Sequence, residues 1–472
     1  IGQLIPQNID RRILPNDIAR LSVELPVVKD CRDEDYVVME VNKAMLELRR
    51  NGGGPVHINL ITTYSRDFSV KELPHVKVMR RFQAWDELPV LLEGRIGIYV
   101  GSHTHFSEKQ NRAIDRFCAT YDAVVICDHT SGYYGKYKLL PTLVQLQSDI
   151  TSPFPPLDLM VHIGEISAAS FNDTIPAKEV WRVSEDGELR DPFKKLTTVF
   201  QMSEEMFFLH YGKDGCNRHV LIDECRELFG EIYEQIPELP FCNIWTAMQL
   251  SSRLPKGALF HMGVSNTRRC WNMFQLPESV ESACNVGCCG IDGCVSTLVG
   301  ASLVNPDRLC YVVVGDLTFF YDLNSLGNHH IGTNLRVMLV NNGRGTEFRL
   351  GIHHCNVFGD DADKYMAAAG HFGNKSPLLV KHYAEDLGFH YLSATTKEEF
   401  MTALSNFTNP QLSDHSMILE VFTDSKDESE ALYLMSHIQS DAKGMVRSKL
   451  KDAVRNVAGE KGINAIKKIL KK

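Results

Sequence analysis

Two short apolar runs in this sequence each end in a side chain that carries oxygen atoms. The run at 309–314 leads, after one glycine, into Asp316, and the run at 335–340 leads, after one asparagine, into Asn342. Runs of this length that are rich in β-branched residues predict buried parallel strands, and we place one crossover helix between them at 321–326. Because neighbouring parallel strands end at the same edge of a sheet, Asp316 and Asn342 are expected to face each other in a ligand-binding crevice.

A carboxylate and an amide oxygen in one crevice suit a hard cation. Mg²⁺ binds oxygen ligands and keeps several coordination positions for water and phosphate oxygens. The pattern therefore predicts a cation that allows Asp316 to lie beside a bound diphosphate. The alternative is that Asp316 caps a helix and that Asn342 forms a turn with Gly343.

The spacing of these residues resembles the diphosphate-binding motif of thiamine diphosphate enzymes. The blocks that carry the resemblance are GDL at 315–317 and NN at 341–342. With YDLNSL at 321–326 and GIDG at 290–293, the chain is similar to the SEPHCHC synthases of menaquinone biosynthesis, which join 2-oxoglutarate to isochorismate. The resemblance covers residues 1–440.

The resemblance implies an α/β thiamine diphosphate-binding fold, with thiamine diphosphate and Mg²⁺ or Mn²⁺ as cofactors. In this family the cofactor carbanion attacks a 2-oxo acid, carbon dioxide leaves, and the product carbanion is transferred to an acceptor. The residues that match the family's metal ligands are Asp316, Asn342 and, through its backbone carbonyl, Arg344. Those that match its diphosphate neighbours are Ser265, Gly315, Asp316, Leu317 and Asn342.

Two further residues are assigned catalytic roles through the resemblance. Arg269 aligns with an arginine that contacts the carboxylate of the 2-oxo acid, and Ile291 with a bulky residue that props the bent cofactor. Ordinary core packing is the alternative for Ile291. The assignment of Ser265 as a diphosphate contact is also supported by the local sequence, because the strand predicted at 258–262 ends in a small-residue turn that offers backbone N–H groups to an anion.

Two residues depart from the family pattern at the predicted substrate pocket. Val286 replaces a second substrate-binding arginine, and Glu347 stands where the family has an apolar residue. The loss of a cation and the gain of an anion are expected to weaken binding of a dicarboxylate by roughly 2–5 kcal/mol if both sites are desolvated. Arg269 is expected to remain available for one carboxylate, so a monocarboxylate such as pyruvate is favoured over 2-oxoglutarate.

Strand and helix signals alternate along most of the chain and predict parallel α/β domains. A helix at 33–50, a glycine stop and a buried strand at 55–60 match the end of the family's pyrimidine-binding domain. We therefore expect the sequence to be N-terminally incomplete and the family's activating glutamate to lie outside it. The predicted units are a remnant of that domain at 1–69, a Rossmann-like central domain at 70–236, a diphosphate-binding domain at 237–440 and a basic tail at 441–472.

The composition is that of an ordinary globular protein. The 472 residues are 44% hydrophobic and 23% charged, and the net charge of −9 argues against a nucleic-acid partner. The 13 cysteines follow no disulfide framework, which favours reduced thiols and a cytoplasmic location. No run approaches the length of a membrane span.

Cysteine and histidine clusters offer weaker alternatives. The cysteines near residue 290 lack the spacing of a zinc site, and small-residue packing is the preferred interpretation: Cys284, Cys288, Cys289 and Cys294. His103 and His105, with no carboxylate partner in the nearby sequence, are predicted to be surface residues. The metal-binding alternative for 353–355 is not favoured, because the crevice already has its oxygen ligands.

The tail is strongly basic. Residues 443–472 hold ten Lys or Arg side chains, and apolar residues recur at helical spacing. Two short amphipathic helices could make weak contact with an anionic membrane surface. The alternative is a solvated appendage or a helix packed on its own protein.

The sequence is interpreted as a transferase that uses thiamine diphosphate, of the SEPHCHC synthase type and acting as a homodimer or tetramer. Its expected small-molecule partners are a 2-oxo acid and an acceptor. One alternative is another decarboxylase or carboligase that resembles acetolactate synthases. The other is a non-catalytic scaffold that retains the fold.

Overall fold

The computed structural model describes residues 12–441 apart from 16, 64–71, 73–75, 92, 151–153, 166–174, 288–289, 352, 367–370 and 374. The amphipathic helices predicted in the tail lie outside the described residues. Every strand pair in the described part of the chain is parallel, and helices cover the sheets. The predicted α/β fold class is therefore confirmed. None of the described helices has the length and apolar character that a membrane crossing requires.

The first unit consists of two parallel strands and one helix. Strands β1 (Leu21–Leu25) and β2 (Val56–Leu60) are joined by α1 (Cys31–Glu47), whose N-cap side chain Asp30 accepts hydrogen bonds from two backbone amides of the first turn. The helix agrees with the prediction, but the expectation of a buried strand at 55–60 is wrong. Residues of β2 are half-buried or exposed and none is fully buried, because one helix and one neighbouring strand cover only part of the strand.

The central sheet has seven strands in the order β3-β9-β8-β7-β4-β5-β6. The strands in chain order are β3 (Arg80–Gln83), β4 (Ile96–Val100), β5 (Val124–Ile126), β6 (Lys138–Leu139), β7 (Leu157–Ile163), β8 (Ala177–Val183) and β9 (Leu196–Gln201). The helices are α2 (Glu108–Tyr121), α3 (Thr142–Leu146), α4 (Glu204–Tyr211) and α5 (Val220–Glu234). Strand β4 is buried along its whole length, as expected for a strand covered on both faces.

The third sheet has six strands in the order β11-β10-β12-β13-β15-β14. The strands are β10 (Leu259–Met262), β11 (Glu281–Cys284), β12 (Cys310–Gly315), β13 (Leu335–Asn341), β14 (His390–Ala394) and β15 (Met417–Phe422). The helices are α6 (Asn243–Leu250), α7 (Asn266–Trp271), α8 (Cys294–Val304), α9 (Asp316–Tyr321), α10 (Leu379–Asp386), α11 (Lys397–Phe407) and α12 (Ser425–Ser436). Strands β12 and β13 are adjacent, as predicted.

The crossover between β12 and β13 differs from the prediction. Its α-helix begins at Asp316 and ends at Tyr321, and a 3₁₀ helix, Leu323–Gly327, occupies the stretch where the α-helix was expected. The Ser325 hydroxyl donates to the Asp322 carbonyl at 2.7 Å. Such local bonds compete with α-helical ones, which accounts for the tighter turn.

A buried histidine joins the central and third sheets. His129 follows β5, and its backbone N–H donates to the Asn272 side chain at 2.9 Å. Its Nε2 lies 3.0 Å from the Trp271 carbonyl and 2.9 Å from the Phe274 carbonyl. Burial lowers the pKa of His129 to about 3, so the ring is neutral and its Nε2–H is the donor to both carbonyls.

Candidate active site

The residues predicted to bind a cation lie at the carboxyl ends of two neighbouring strands. Strands β12 and β13 pair in the register Gly315 with Val340, so Asp316 and Asn342 follow adjacent strand ends. Asp316 is 2% exposed, and its Oδ2 accepts a hydrogen bond from the Gly343 backbone N–H at 2.6 Å. Gly343 has φ of +80°, a conformation that side chains disfavour. The carboxylate therefore lies against the residue that follows Asn342.

Thr346 orders the loop that carries the other two predicted ligands. Its hydroxyl donates to Asn342 Oδ1 at 2.6 Å, and its backbone N–H donates to the Arg344 carbonyl at 2.8 Å. Each of these oxygens has a second lone pair, so neither bond prevents coordination of a cation. Sequence reasoning missed Thr346, although a threonine four residues after Asn342 was a usable signal for a local side-chain bond.

The donor set at these strand ends fits a hard cation. A carboxylate, an amide oxygen and a backbone carbonyl are the oxygen ligands that Mg²⁺ and Mn²⁺ accept. One further group lies beside them, because His371 Nε2 is 3.2 Å from Asp316 Oδ2. His371 was not predicted, and its distance from Asp316 along the chain left no local signal. The assignment of Asp316, Asn342 and Arg344 as ligands remains a prediction.

The backbone at the end of β12 is open toward the crevice. The Leu317 N–H donates to Asp316 Oδ1 at 2.7 Å, so the first turn of α9 holds the carboxylate in place. A Cβ atom added at Gly315 would meet no heavy atom within 4 Å. Gly315 therefore borders free space, as a residue next to a bound diphosphate must. The predicted diphosphate contacts of Gly315 and Leu317 are consistent with this geometry and remain predictions.

The turn between β10 and α7 lies beside that opening, because β10 is the other neighbour of β12. Ser265 has φ of 59° and ψ of −121°, a conformation that non-glycine residues rarely adopt, and its side chain makes no capping bond to α7. Gly263 lies close to β12, since a Cβ added there would be 3.1 Å from the Val313 carbonyl. Strain of this kind is often retained where the chain must present a group to a ligand.

Arg269 does not have the environment expected from the sequence. Its guanidinium binds the Glu347 carboxylate through two hydrogen bonds, NH1 to Oε2 at 3.0 Å and NH2 to Oε1 at 2.7 Å. The expectation that Arg269 remains available for a substrate carboxylate is therefore wrong for this structure. The pair could not be predicted because the two residues are 78 positions apart, and only the fold brings α7 close to the loop after β13.

Ile291 and Val286 lie between β11, an edge strand of the same sheet, and α8. Ile291 is half-buried in the loop before α8, and it joins none of the apolar clusters formed by the described residues. The core-packing alternative for Ile291 is thus not supported. Val286 is 7% exposed and follows β11 as Val264 follows β10. The cofactor role of Ile291 remains a prediction.

Two buried glutamates behind the crevice were missed. Glu420 of β15 accepts hydrogen bonds from Asn341 Nδ2 at 2.7 Å and from the Tyr391 hydroxyl at 2.8 Å, and burial raises its pKa. Glu428 of α12 accepts from the Asn243 backbone N–H and from the Thr423 hydroxyl, each at 2.9 Å. The signal for Glu420 was an acidic residue inside the apolar run of β15, since buried charges need partners.

Burial raises the pKa of Glu428 to about 7, which is far above the usual value for a glutamate. Glu428 is 1% exposed and lies on α12, which packs on the 3₁₀ helix Thr346–Arg349 that carries Glu347. The protonation state of Glu428 therefore affects the stability of the crevice wall. No sequence pattern distinguishes this glutamate from the other acidic residues of the same helix, Asp427 and Glu430, which are half-buried and exposed.

The cysteine and histidine alternatives gain no support. Among the described residues, no three His, Cys, Asp or Glu side chains form a metal-binding group. Cys288 and Cys289 lie outside the described part, while burial raises the pKa of Cys294 to about 11 and keeps its thiol protonated. His105 is exposed, as predicted, but His103 is only half-buried at the surface, and its Nε2 lies 3.2 Å from the Glu204 carboxylate.

Several known proteins are similar to this chain in sequence. The 2-succinyl-5-enolpyruvyl-6-hydroxy-3-cyclohexene-1-carboxylate (SEPHCHC) synthase of Bacteroides thetaiotaomicron is 28% identical over 460 residues, which is 92% of this chain and 79% of the relative. The synthase of Phocaeicola vulgatus is 28% identical over 92% of this chain and 78% of its own length. That of Christiangramia forsetii is 33% identical over 42% of this chain and 33% of its own.

The chain is similar to the SEPHCHC synthases. The similarity extends through both large sheets, so the resemblance first inferred from short motifs is confirmed along the chain. No protein-family model matches the chain. The chain is thus similar to SEPHCHC synthases over most of its length. Its crevice nevertheless contains an arginine–glutamate ion pair that was not expected from the sequence.

Proposed function

We propose that this chain is an enzyme that depends on thiamine diphosphate and on Mg²⁺ or Mn²⁺. It decarboxylates a 2-oxo acid and transfers the product carbanion to an acceptor, as a SEPHCHC synthase-like transferase. One observation carries the proposal: the buried Asp316 carboxylate contacts the loop of Asn342 at a sheet edge that is open at Gly315. The similarity of the chain to SEPHCHC synthases supports it.

In this proposal the protein positions the cofactor and protects it from water. Asp316, Asn342 and the carbonyl of Arg344 hold the cation, and the open backbone at Gly315 admits the diphosphate. Ser265 contributes its hydroxyl and the amide groups of its turn. When bound, thiamine diphosphate supplies the nucleophilic carbon and the electron sink that decarboxylation requires. Ile291 supports the cofactor from the neighbouring loop.

We further propose that the enzyme is a homodimer or tetramer and acts in the cytoplasm. Several large apolar side chains between the Asn342 loop and α10 are exposed, which favours burial of this surface in an assembly. They are Val357 at 83%, Tyr365 at 66% and Phe372 at 86%. A subunit seated here would also shield the crevice from solvent.

Calorimetric titration of thiamine diphosphate into the full chain tests the proposal. With Mg²⁺ we expect saturable binding, and with EDTA we expect the affinity to fall by about a hundredfold or more, because Asp316 and the diphosphate then repel each other. Equal affinity under the two conditions would remove the cation from the proposal. Binding without carbon dioxide release from any 2-oxo acid by the full-length protein would favour the non-catalytic scaffold.

A further inference from the structure

The Arg269–Glu347 ion pair spans the opening of the proposed cofactor site. Arg269 lies on α7, which follows β10, and Glu347 lies on the 3₁₀ helix that follows β13. Strand β12 runs between β10 and β13, and Asp316 follows its end. The pair therefore joins the two loops on either side of Asp316. It is a constituent of the crevice wall and not a distant surface contact.

The geometry of the pair satisfies the arginine. Two parallel N–H···O bonds, at 3.0 and 2.7 Å, form the bidentate arrangement that is strongest for arginine and a carboxylate. The same NH1 lies 3.4 Å from Asn266 Oδ1. The side chains of Arg269 and Glu347 are only 19% and 21% exposed, so water screens the pair weakly. The two formal charges of the pair cancel.

We propose that Glu347 determines the class of donor substrate: the crevice selects a 2-oxo acid with an uncharged side chain and rejects one with a second carboxylate. The proposal rests on the proposed function and narrows its substrate. The Glu347 carboxylate already occupies the position on Arg269 that the second carboxylate of a dicarboxylate donor would otherwise take.

The physical reason is competition for one guanidinium. A ligand carboxylate reaches Arg269 only by displacing Glu347, which leaves a partly buried carboxylate without its partner, or by lying beside it, which places two like charges together. The neighbouring loop offers no relief, because Val286 is apolar and 7% exposed. Both classes of donor carry the carboxylate at C1, so a donor with an uncharged side chain avoids only the additional cost that a second carboxylate brings.

Arg344 is the alternative partner for a ligand carboxylate. It lies on the same loop as Glu347, and no carboxylate of the described residues lies within ion-pair distance of its side chain. If Arg344 received a donor carboxylate, the crevice would favour dicarboxylates despite Glu347. The experiment must therefore vary both arginines.

Equilibrium binding tests the proposal without relying on turnover. The full chain is loaded with Mg²⁺ and a thiamine diphosphate analogue whose reactive carbon is blocked. It is then titrated with 2-oxoglutarate and with 2-oxopentanoate, which has the same chain length and no second carboxylate. The wild type should bind 2-oxopentanoate at least as tightly as 2-oxoglutarate. In Glu347→Gln, 2-oxoglutarate should bind about tenfold more tightly or better, with little change for 2-oxopentanoate.

Three further variants complete the test. In the double variant Arg269→Gln with Glu347→Gln, the gain for 2-oxoglutarate should disappear. Arg344→Gln should leave the ratio of the two affinities unchanged. The matched control is Glu281→Gln. Glu281 lies at the start of β11, away from the crevice, and forms another arginine–glutamate pair with Arg308 at 3.0 Å, which the change removes. This control should leave both affinities unchanged.

A wild type that binds 2-oxoglutarate more tightly than 2-oxopentanoate would overturn the proposal, as would an unchanged ratio in a folded Glu347→Gln variant. The wild-type comparison decides even if that variant does not fold. Failure of the cofactor to bind is a different result: it would overturn the proposed function, and this inference with it.

Discussion

The central and third sheets share one architecture but differ at their carboxyl edges. In the central sheet a Cβ added at Gly101, after β4, would lie 2.0 Å from the Glu165 carbonyl, so the loops after β4 and β7 close against each other. In the third sheet a Cβ added at Gly315 would meet nothing within 4 Å. The difference shows that a parallel sheet supplies a place for a crevice, while the residues after its strands decide whether the crevice is open.

The charged groups at the two edges differ in the same way. In the central sheet Arg182 is 1% exposed, and its guanidinium donates to the Gly164 carbonyl at 3.2 Å and lies 3.4 Å from His162 Nδ1. The Arg182 guanidinium thus bonds groups within the protein and helps to close the carboxyl edge of the central sheet. At the third sheet the oxygens of Asp316 and Asn342 retain lone pairs beyond the hydrogen bonds that they accept, beside the open backbone at Gly315. We therefore expect ligand binding to depend on the third edge, and stability to depend mainly on the central one.

The largest expected effect comes from Asp316→Ala. This change should lower the affinity for thiamine diphosphate with Mg²⁺ by about a thousandfold or more and abolish its dependence on the cation, because the charged ligand is lost. Calorimetric titration measures both quantities. The matched control is Asp128→Ala, which alters the aspartate that follows β5 and accepts the Thr130 N–H at 2.6 Å. It should cost about 1–3 kcal/mol of stability and leave cofactor affinity unchanged.

Arg182→Met should have the opposite profile. We expect a loss of about 3 kcal/mol in the free energy of unfolding, since a buried network loses its donor, with cofactor affinity within a factor of about two. Denaturant unfolding and calorimetry measure the two effects. Arg112→Met, which removes an exposed ion pair with Glu108 on α2, should cost less than about 1 kcal/mol. A large loss of cofactor affinity in Arg182→Met would show that the central edge contributes to the site.

Glu428 gives the third sheet a pH-dependent stability. Its pKa is about 7 in the folded protein and that of an ordinary glutamate, 4.5, when unfolded. Between these values the folded state binds more protons, so the stability contributed by protonated Glu428 is complete below pH 4.5 and is lost as the pH rises to about 7.

Glu428→Gln should remove this dependence and raise stability at pH 8 by about 2 kcal/mol relative to wild type, with no gain at pH 4. Thermal or denaturant unfolding at the two pH values measures it. Asp427→Asn, beside Glu428 on the same helix, is the control and should leave most of the slope intact. A wild-type slope that survives in Glu428→Gln would assign the pH dependence to other groups.

The smallest expected effect concerns the tail. Truncation after Asp441 should remove weak binding to anionic vesicles and leave cofactor affinity unchanged, because each basic residue near a membrane contributes only about 1 kcal/mol at low ionic strength. Co-sedimentation at low and high salt measures it. If the full chain and the truncated chain sediment alike, the tail is an appendage without a role at membranes.

The sequence was sufficient for those parts of the fold that depend on local pattern. Strands β12 and β13 are largely apolar runs, and their positions were predicted within one residue. The juxtaposition of Asp316 with the Asn342 loop followed from the parallel βαβ unit. Strands β11 and β14 were missed because each is short, lies at a sheet edge and is only partly buried, which leaves no apolar run.

Contacts between distant segments could not be predicted. The Arg269–Glu347 pair, the approach of His371 to Asp316 and the burial of Glu428 each depend on how loops from different strands pack. The sequence did mark Glu347 as unusual in an otherwise apolar setting. The sequence could not indicate that the Glu347 carboxylate forms an ion pair with Arg269, because the partner of a side chain is a property of the tertiary structure.

The small β1–β2 unit has a consequence for how the molecule opens. Two strands and one helix are marginal by themselves, and this unit is held to the central domain partly by Asn42 of α1, whose side chain bonds the backbone of Lys77 and Met79. We infer that it separates as a cooperative segment while both large sheets remain folded. In native-state hydrogen exchange its amides should lose protection at far lower denaturant than those of β4 or β13, and Asn42→Ala should lower that threshold further.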